Sequence, residues 1–231
     1  MTPEQLIARR AAPLRLVIFD CDGVIVDSEP VTNRLTAAEF SELGWTLTPA
    51  ESEKMFLGMN FEAMLPVVEA RLGRKLPADW AKRFVDRLVE VLEREVEPIP
   101  GAPEALAAIS ALGLPWRVAS NSSHAELRAK FRRLGILDSV AGRLHSHHDV
   151  ARGKPAPDLF LAAAAAEGVA PSECIVIEDS VPGARAAAAA GMDCLGYAPR
   201  CDGAALRAVG AIPFRSMFEL PALIQAARRS A

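Results

Sequence analysis

The chain has 231 residues and a formal net charge of −3, so it fits one large domain or two modest ones and has no general electrostatic pull toward nucleic acid or an anionic membrane surface. Hydrophobic residues make up 51% of it but aromatic ones only 6%, so a core has to be built mainly from aliphatic side chains and alanine. The apolar run that closes MTPEQLIARRAAPLRLVIF ends after six residues, and no 18-residue apolar span follows, which predicts neither a signal peptide nor a membrane helix. Four cysteines, at 21, 174, 194 and 201, form no CxxC pair. They predict reduced thiols in a cytoplasmic protein.

Leu14–Phe19 reads as a short buried strand, and FDCDGVIVDSE follows at its end. Asp20, Asp22, Asp27 and Glu29 crowd around one glycine, an arrangement that repels itself unless something cationic holds it. Residues 31–98 then lack strand patterning and carry helical periodicity, clearest in the stripe Trp80, Phe84, Leu88, Val91 and Leu92. That stripe reads as the core of a small helical bundle. Pro98, Pro100 and Gly101 mark its end.

From there strands and helices alternate. Pro115–Ser120, a segment around Val140–Ser146, Cys174–Glu178 and Met192–Tyr197 read as strands. Pro103–Leu112, His124–Leu134, Asp158–Glu167 and Val181–Ala190 read as helices, each followed by glycine. The alanine runs 162–166 and 186–190 suit helices lying close against a sheet. The fold class expected is α/β, a Rossmann-like doubly wound parallel sheet formed by 1–30 and 99–231, with an all-helical domain, 31–98, inserted after the first strand.

On this scaffold Asp20 and Asp22, Ser120 and Asn121, Lys154, and Glu178 with Asp179 all fall at carboxyl ends of parallel strands, the edge where open α/β sheets bind ligands. An oxygen-rich crevice of this kind suits Mg²⁺ beside a substrate phosphate. Lys154 is not a P-loop lysine, because Pro155 stands where serine or threonine is needed and His148 where the first glycine belongs. The run His145 to Asp149 reads as a polar strand end before it reads as a zinc site. Cys194 and Arg200 have the CxxxxxR spacing of cysteine phosphatases, but Tyr197 and Pro199 spoil the phosphate loop. Cys21, between two aspartates, reads as a small packed residue.

The motifs together resemble the haloacid dehalogenase-like hydrolases: DxDGVxxDSE over Asp20 to Glu29, Ser120 in VASNSS, Lys154 in RGKPAPDLF and Glu178–Asp179 in VIEDS, with a helical cap inserted between the first two. The resemblance covers nearly the whole chain. It implies Asp20 as nucleophile, Asp22 as proton donor and acceptor, and Ser120, Asn121 and Lys154 as phosphate-binding groups. It implies Mg²⁺ held by Asp20, the Asp22 backbone carbonyl and Asp179, with Glu178 steadying the metal's waters. An acid at position 22 points to phosphoryl transfer, and the pattern looks most like small sugar-phosphate or sugar-acid-phosphate phosphatases, with the phosphogluconate phosphatases nearby. β-Phosphoglucomutases are the runner-up. They carry a histidine twelve residues after the nucleophile and a cap arginine three residues after the glycine matching Gly58, where this chain has Thr32 and Phe61. A catalytically inactive phosphate-binding module is the remaining alternative.

Gly58, Met59 and Asn60 are the candidates for substrate specificity in the cap, with Arg71, Arg74 and Lys75 as a possible basic cluster. The expected partner is a small phosphorylated molecule, with neither nucleic acid nor membrane. Nothing in the sequence sets an oligomeric state, and a monomer suffices.

Overall fold

The computed structural model describes residues 1–56 and 61–229. Helix α1 (Pro3–Arg9) precedes the first strand, β1 (Leu16–Phe19). A two-residue strand β2 (Val26–Asp27) leads into α2 (Glu29–Glu42), α3 (Pro49–Phe56), α4 (Phe61–Leu72) and α5 (Trp80–Glu95). Strand β3 (Glu97–Pro98) then returns antiparallel to β2. The remainder alternates: α6 (Ala102–Ala111), β4 (Trp116–Ser120), α7 (His124–Arg133), β5 (Leu144–Ser146), α8 (Asp158–Glu167), β6 (Cys174–Glu178), α9 (Val181–Ala189), β7 (Asp193–Tyr197), α10 (Ala204–Arg207), β8 (Ile212–Phe214) and α11 (Leu220–Arg229).

Six of these strands form one parallel sheet in the order β5-β4-β1-β6-β7-β8. The chain runs outward from β1 through β4 to β5, then crosses back to β6 on the other side of β1. The order therefore reverses beside β1, and the crevice opens at the carboxyl ends of β1, β4 and β6.

Helices on both faces explain why β1 and β6 are continuously apolar. Val17, Phe19, Ile175 and Ile177 enter one core with residues of α1, α6, α7 and α11. Leu16, Ile18, Cys174 and Val176 enter a second core with α8 and α9. Ala163, Ala164, Ala184, Ala186 and Ala187 are buried in that second core, so the alanine runs do bring α8 and α9 close to the sheet.

Three strands depart from the sequence pattern. β8 has proline at its centre, which removes a ladder donor; it survives as a three-residue edge strand. β2 and β3 are two residues each, shorter than any periodicity can register, and β3 falls within the stretch expected to be wholly helical.

The helices between β2 and β3 have an apolar cluster of their own: Phe40, Trp45, Phe56, Met64, Val68, Leu76, Trp80 and Phe84. Phe40 stacks on Trp45 with ring centroids 5.5 Å apart. The Trp80 indole N–H donates to Glu39 Oε1 at 2.7 Å, so its one polar atom is satisfied inside the cluster. The stripe of α5 is split between two cores. Trp80 and Phe84 belong to the insert, whereas Leu88 and Leu92 belong to the sheet's first core.

Leu88→Ala should therefore lower unfolding free energy by about 2–5 kcal/mol in urea melts. Lys82→Ala, which removes only an exposed pair with Asp86, should stay within about 0.5 kcal/mol of wild type.

Candidate active site

Asp20 continues the line of β1, and its backbone N–H donates to Ile177 of β6 at 2.9 Å. The chain then turns so tightly that Gly23 N–H reaches Val26 O at 2.9 Å. Gly23 has φ +71°, and a Cβ there would lie 1.9 Å from Asp179 Oδ2. Glycine is thus required twice over, by the left-handed turn and by the carboxylate packed against it.

Lys154, from the loop before α8, reaches across to the acids. Its Nζ lies 2.6 Å from Asp20 Oδ1 and 2.7 Å from Glu178 Oε1, and 4.7 Å from the centre of the Phe160 ring. The side chain is 4% exposed. Burial pushes its proton affinity down, but Asp20 and Glu178 outweigh that and hold it raised, so the ammonium stays charged. Asn121 clamps the same loop: Lys154 N–H donates to its Oδ1 at 2.9 Å, and its Nδ2 donates to Lys154 O at 3.1 Å. With its side chain so engaged, any ligand contact by Asn121 falls to its main-chain N–H.

Glu178 is fully buried and saturated. Its Oε2 accepts from Asp179 N, Ser180 N and Ser180 Oγ at 2.8–3.0 Å, while Oε1 takes Lys154. Gly183 of α9 lies against it; a Cβ there would meet Oε1 at 1.7 Å.

Asp20, Glu178 and Asp179 bring carboxylate oxygens within 4.8 Å of one another. Burial pushes the Asp20 carboxyl up against the pull of Lys154, and it pushes Asp179 well up with Glu178 and Asp20 adding repulsion. One ammonium serves three acids, which leaves a negative surplus in a poorly solvated crevice. A divalent cation fits that surplus. Since Glu178 already accepts four hydrogen bonds, Asp20 and Asp179 have the carboxylate oxygens that could coordinate such an ion directly.

Asp22 faces the other way. Its Oδ1 accepts from Lys130 Nζ at 2.6 Å and from the Ser28 hydroxyl; its Oδ2 accepts from Ser122 Oγ at 2.8 Å and lies 3.4 Å from Ser120 Oγ. Burial raises its proton affinity, but the Lys130 charge and the bonds from Lys130, Ser28 and Ser122 more than offset this, leaving its pKa lowered. Ser120 is thereby tied to Asp22. The sequence reading missed Lys130 and Ser122. A signal existed: Lys130 falls three residues after Leu127 and one before Phe131, on the apolar stripe of α7, unlike Arg128, Arg132 and Arg133.

The other candidates part from this site. Cys194 is buried in the sheet's second core with its thiol pushed up by burial, which removes the thiolate a cysteine phosphatase needs. Cys21 is likewise buried with its thiol raised by burial and Asp22. His124 Nε2 meets Asp149 Oδ1 at 2.7 Å, and Asp149 Oδ2 also accepts from Ser146 N–H, so the acid that ends the histidine run is engaged in local hydrogen bonds. Among the described residues, Asp20, Glu178 and Asp179 form the one group spaced to hold a metal.

On the insert, Arg71 lies 5.7 Å over Trp45, Arg74 donates to Leu43 O at 3.4 Å and Lys75 pairs with Glu69 at 2.6 Å. Arg71 and Arg74 line an open cavity of about 420 Å³ whose walls include none of the crevice acids. Gly58, Met59 and Asn60 lie outside the described residues, as does the Phe61 side chain.

A family model for haloacid dehalogenase-like hydrolases matches residues 14–191. The 6-phosphogluconate phosphatase of Escherichia coli K12 is 34% identical over 181 residues, which span 78% of this chain and 80% of that one. A hydrolase of the same family from Deinococcus radiodurans, solved with bound phosphate and sodium, superposes with a TM-score of 0.77 at 33% identity, covering 94% of this chain and 98% of that one. A Thermotoga maritima protein provisionally assigned as a β-phosphoglucomutase gives 0.76 at 26% identity, with 92% and 99% covered.

The charge imbalance generates a measurable trade-off. In EDTA-stripped protein, Asp179→Asn removes one of three crowded carboxylates and should raise the melting temperature by about 2–4 °C. The same variant should lose most of the stabilisation that added Mg²⁺ gives wild type, as read by thermal shift and by calorimetric titration of the metal.

Proposed function

The chain belongs to the haloacid dehalogenase-like hydrolases, and from that premise we propose that it is a Mg²⁺-dependent phosphatase of small phosphorylated sugars or sugar acids, working through an aspartyl-phosphate on Asp20. One observation carries the reading: a buried aspartate at the end of β1, 2.6 Å from a buried lysine and beside Asp179, with a second aspartate two residues on. The relative that acts on 6-phosphogluconate supports the substrate class.

The carboxylates of Asp20 and Asp179 and the main-chain carbonyl of Asp22 would hold Mg²⁺, which would supply positive charge against the phosphoryl oxygens. Asp20 attacks phosphorus, forming the acyl–phosphate bond as the bond to the leaving oxygen breaks. Lys154 holds Asp20 in line and binds charge that spreads over the phosphoryl group. Ser120 Oγ and the Asn121 main-chain N–H take a further phosphoryl oxygen. Asp22 gives its proton to the leaving oxygen, which the alcohol carries away, and then takes one from the water that cleaves the aspartyl-phosphate. The dianionic substrate helps, because its charge raises the proton affinity of Asp22 when it arrives.

In this reading residues 31–98 act as a cap over the core of 1–30 and 99–231. The paired strands β2 and β3 carry both crossings of the chain between them, Asp27 opposite Glu97 and Val26 opposite Pro98, which suits a hinge. Gly58, Met59 and Asn60 remain the proposed specificity positions of the cap.

Asp20→Asn should abolish release of phosphate from p-nitrophenyl phosphate while leaving the fold intact by circular dichroism. Rapid quench of wild type with ³²P-labelled substrate should leave label on Asp20. Undiminished turnover by the variant together with unlabelled protein would overturn the covalent mechanism.

A mutase is the second reading, favoured by the Thermotoga structure. Against it, Thr32 stands on α2 where a mutase carries histidine, and Phe61 where it carries arginine. Incubation with β-glucose 1-phosphate, Mg²⁺ and a trace of the bisphosphate should yield inorganic phosphate faster than glucose 6-phosphate; the reverse order would make it a mutase.

A further inference from the structure

We propose that Lys130 is a positioning residue for Asp22, fixing the direction in which that carboxylate exchanges protons with the leaving group. The proposal rests on the phosphatase reading above and adds to it a residue and a task. Lys130 is 2% exposed, on a helix whose other basic residues point outward. Burying an ammonium is costly, and a leucine or methionine on that stripe would pack at no such cost. What the lysine gains is a two-point grip. Its Nζ donates to Asp22 Oδ1 at 2.6 Å and to Ser122 Oγ at 2.7 Å, and Ser122 Oγ donates onward to Asp22 Oδ2 at 2.8 Å. One donor set thus reaches both carboxylate oxygens, so the plane of the carboxylate is held as well as its distance.

The scaffold behind the grip is stiff. Ser123 and Glu126 form a reciprocal cap at the start of α7, and Leu127 and Phe131 on either side of Lys130 are fully buried. The grip also ties Asp22 to the phosphate-binding loop, because Ser122 N–H donates to Ser120 Oγ at 3.1 Å. Lys154 serves Asp20 and Lys130 serves Asp22: each aspartate of the DxD pair has its own buried cation.

A residue that acts only through Asp22 should matter in proportion to the need for proton transfer. Alkyl phosphates need a proton on the leaving oxygen; p-nitrophenolate leaves without one. With the Mg²⁺-loaded enzyme, Lys130→Met should lower kcat/KM for an alkyl phosphate about 100-fold. The value for p-nitrophenyl phosphate should change little, since kcat/KM reports only steps up to loss of the first product. In an Asp22→Asn background the lysine substitution should cost almost nothing more for the alkyl substrate. Ser122→Ala, which keeps the buried ammonium, serves if Lys130→Met does not fold; it should show the same selectivity at smaller size. Equal losses on both substrates, or losses that add to Asp22→Asn, would mean that Lys130 only supports the fold and would overturn the proposal. Failure of the phosphatase reading looks different, because wild type itself would then release no phosphate from either substrate.

Discussion

The ion pair between Lys154 and Asp20 is the interaction on which the rest of the site depends. A carboxylate buried beside two others is unfavourable in its charged form, and the lysine is the one close cation that pulls against that burial. The lysine must itself be brought into a nearly dry place, and several residues do this. Phe160 gives its ammonium a ring face, Asn121 fixes its backbone from both sides, and Glu178 accepts its second bond. Glu178 in turn is held by the turn that starts α9, and that helix needs Gly183 to let the carboxylate lie against it. The supporting residues come from the end of β6 and from the segments that follow β4, β5 and β6, which is why the site forms at the edge where the strands end.

The surplus negative charge also accounts for what the protein does not use. A thiol near this cluster is held protonated by burial and by its acidic neighbours, so Cys21, adjacent to Asp20 in sequence, has the wrong charge state for thiolate chemistry. Oxygen nucleophiles and a hard cation suit such a crevice better than sulfur does.

Most of the site could be read from the chain because its acids follow strands whose apolar runs are unmistakable: Asp20 after LVIF, Glu178 and Asp179 after CIVI. Lys154 was legible through the rigid GKPAP setting. Lys130 was not, because its partner lies 108 residues away and its role appears only when α7 is laid against the first loop. Ser122 was hidden by its neighbours, since VASNSS offers three serines and nothing local says which hydroxyl turns inward. In the fold, the doubly wound sheet and its alanine-faced helices follow from pattern alone. The β2–β3 ribbon does not, for two residues have no period, and β8 is masked by the proline in its middle.

Helix α5 sets a limit on how this architecture can be taken apart. An insertion with its own closed core can be exchanged between proteins as a module, by recombination at its two junctions. Here the last helix of the insert lends Leu88 and Leu92, with Val96 just beyond its end, to the core beneath the sheet. Burial of each is worth roughly 1.5–3 kcal/mol. A graft cut at residues 31 and 98 would remove all three, a loss comparable with the whole stability of an ordinary domain, about 5–15 kcal/mol. A cut that leaves both cores of α5 intact would have to lie inside that helix, between Phe84 and Leu88, and not at the chain crossing that follows it.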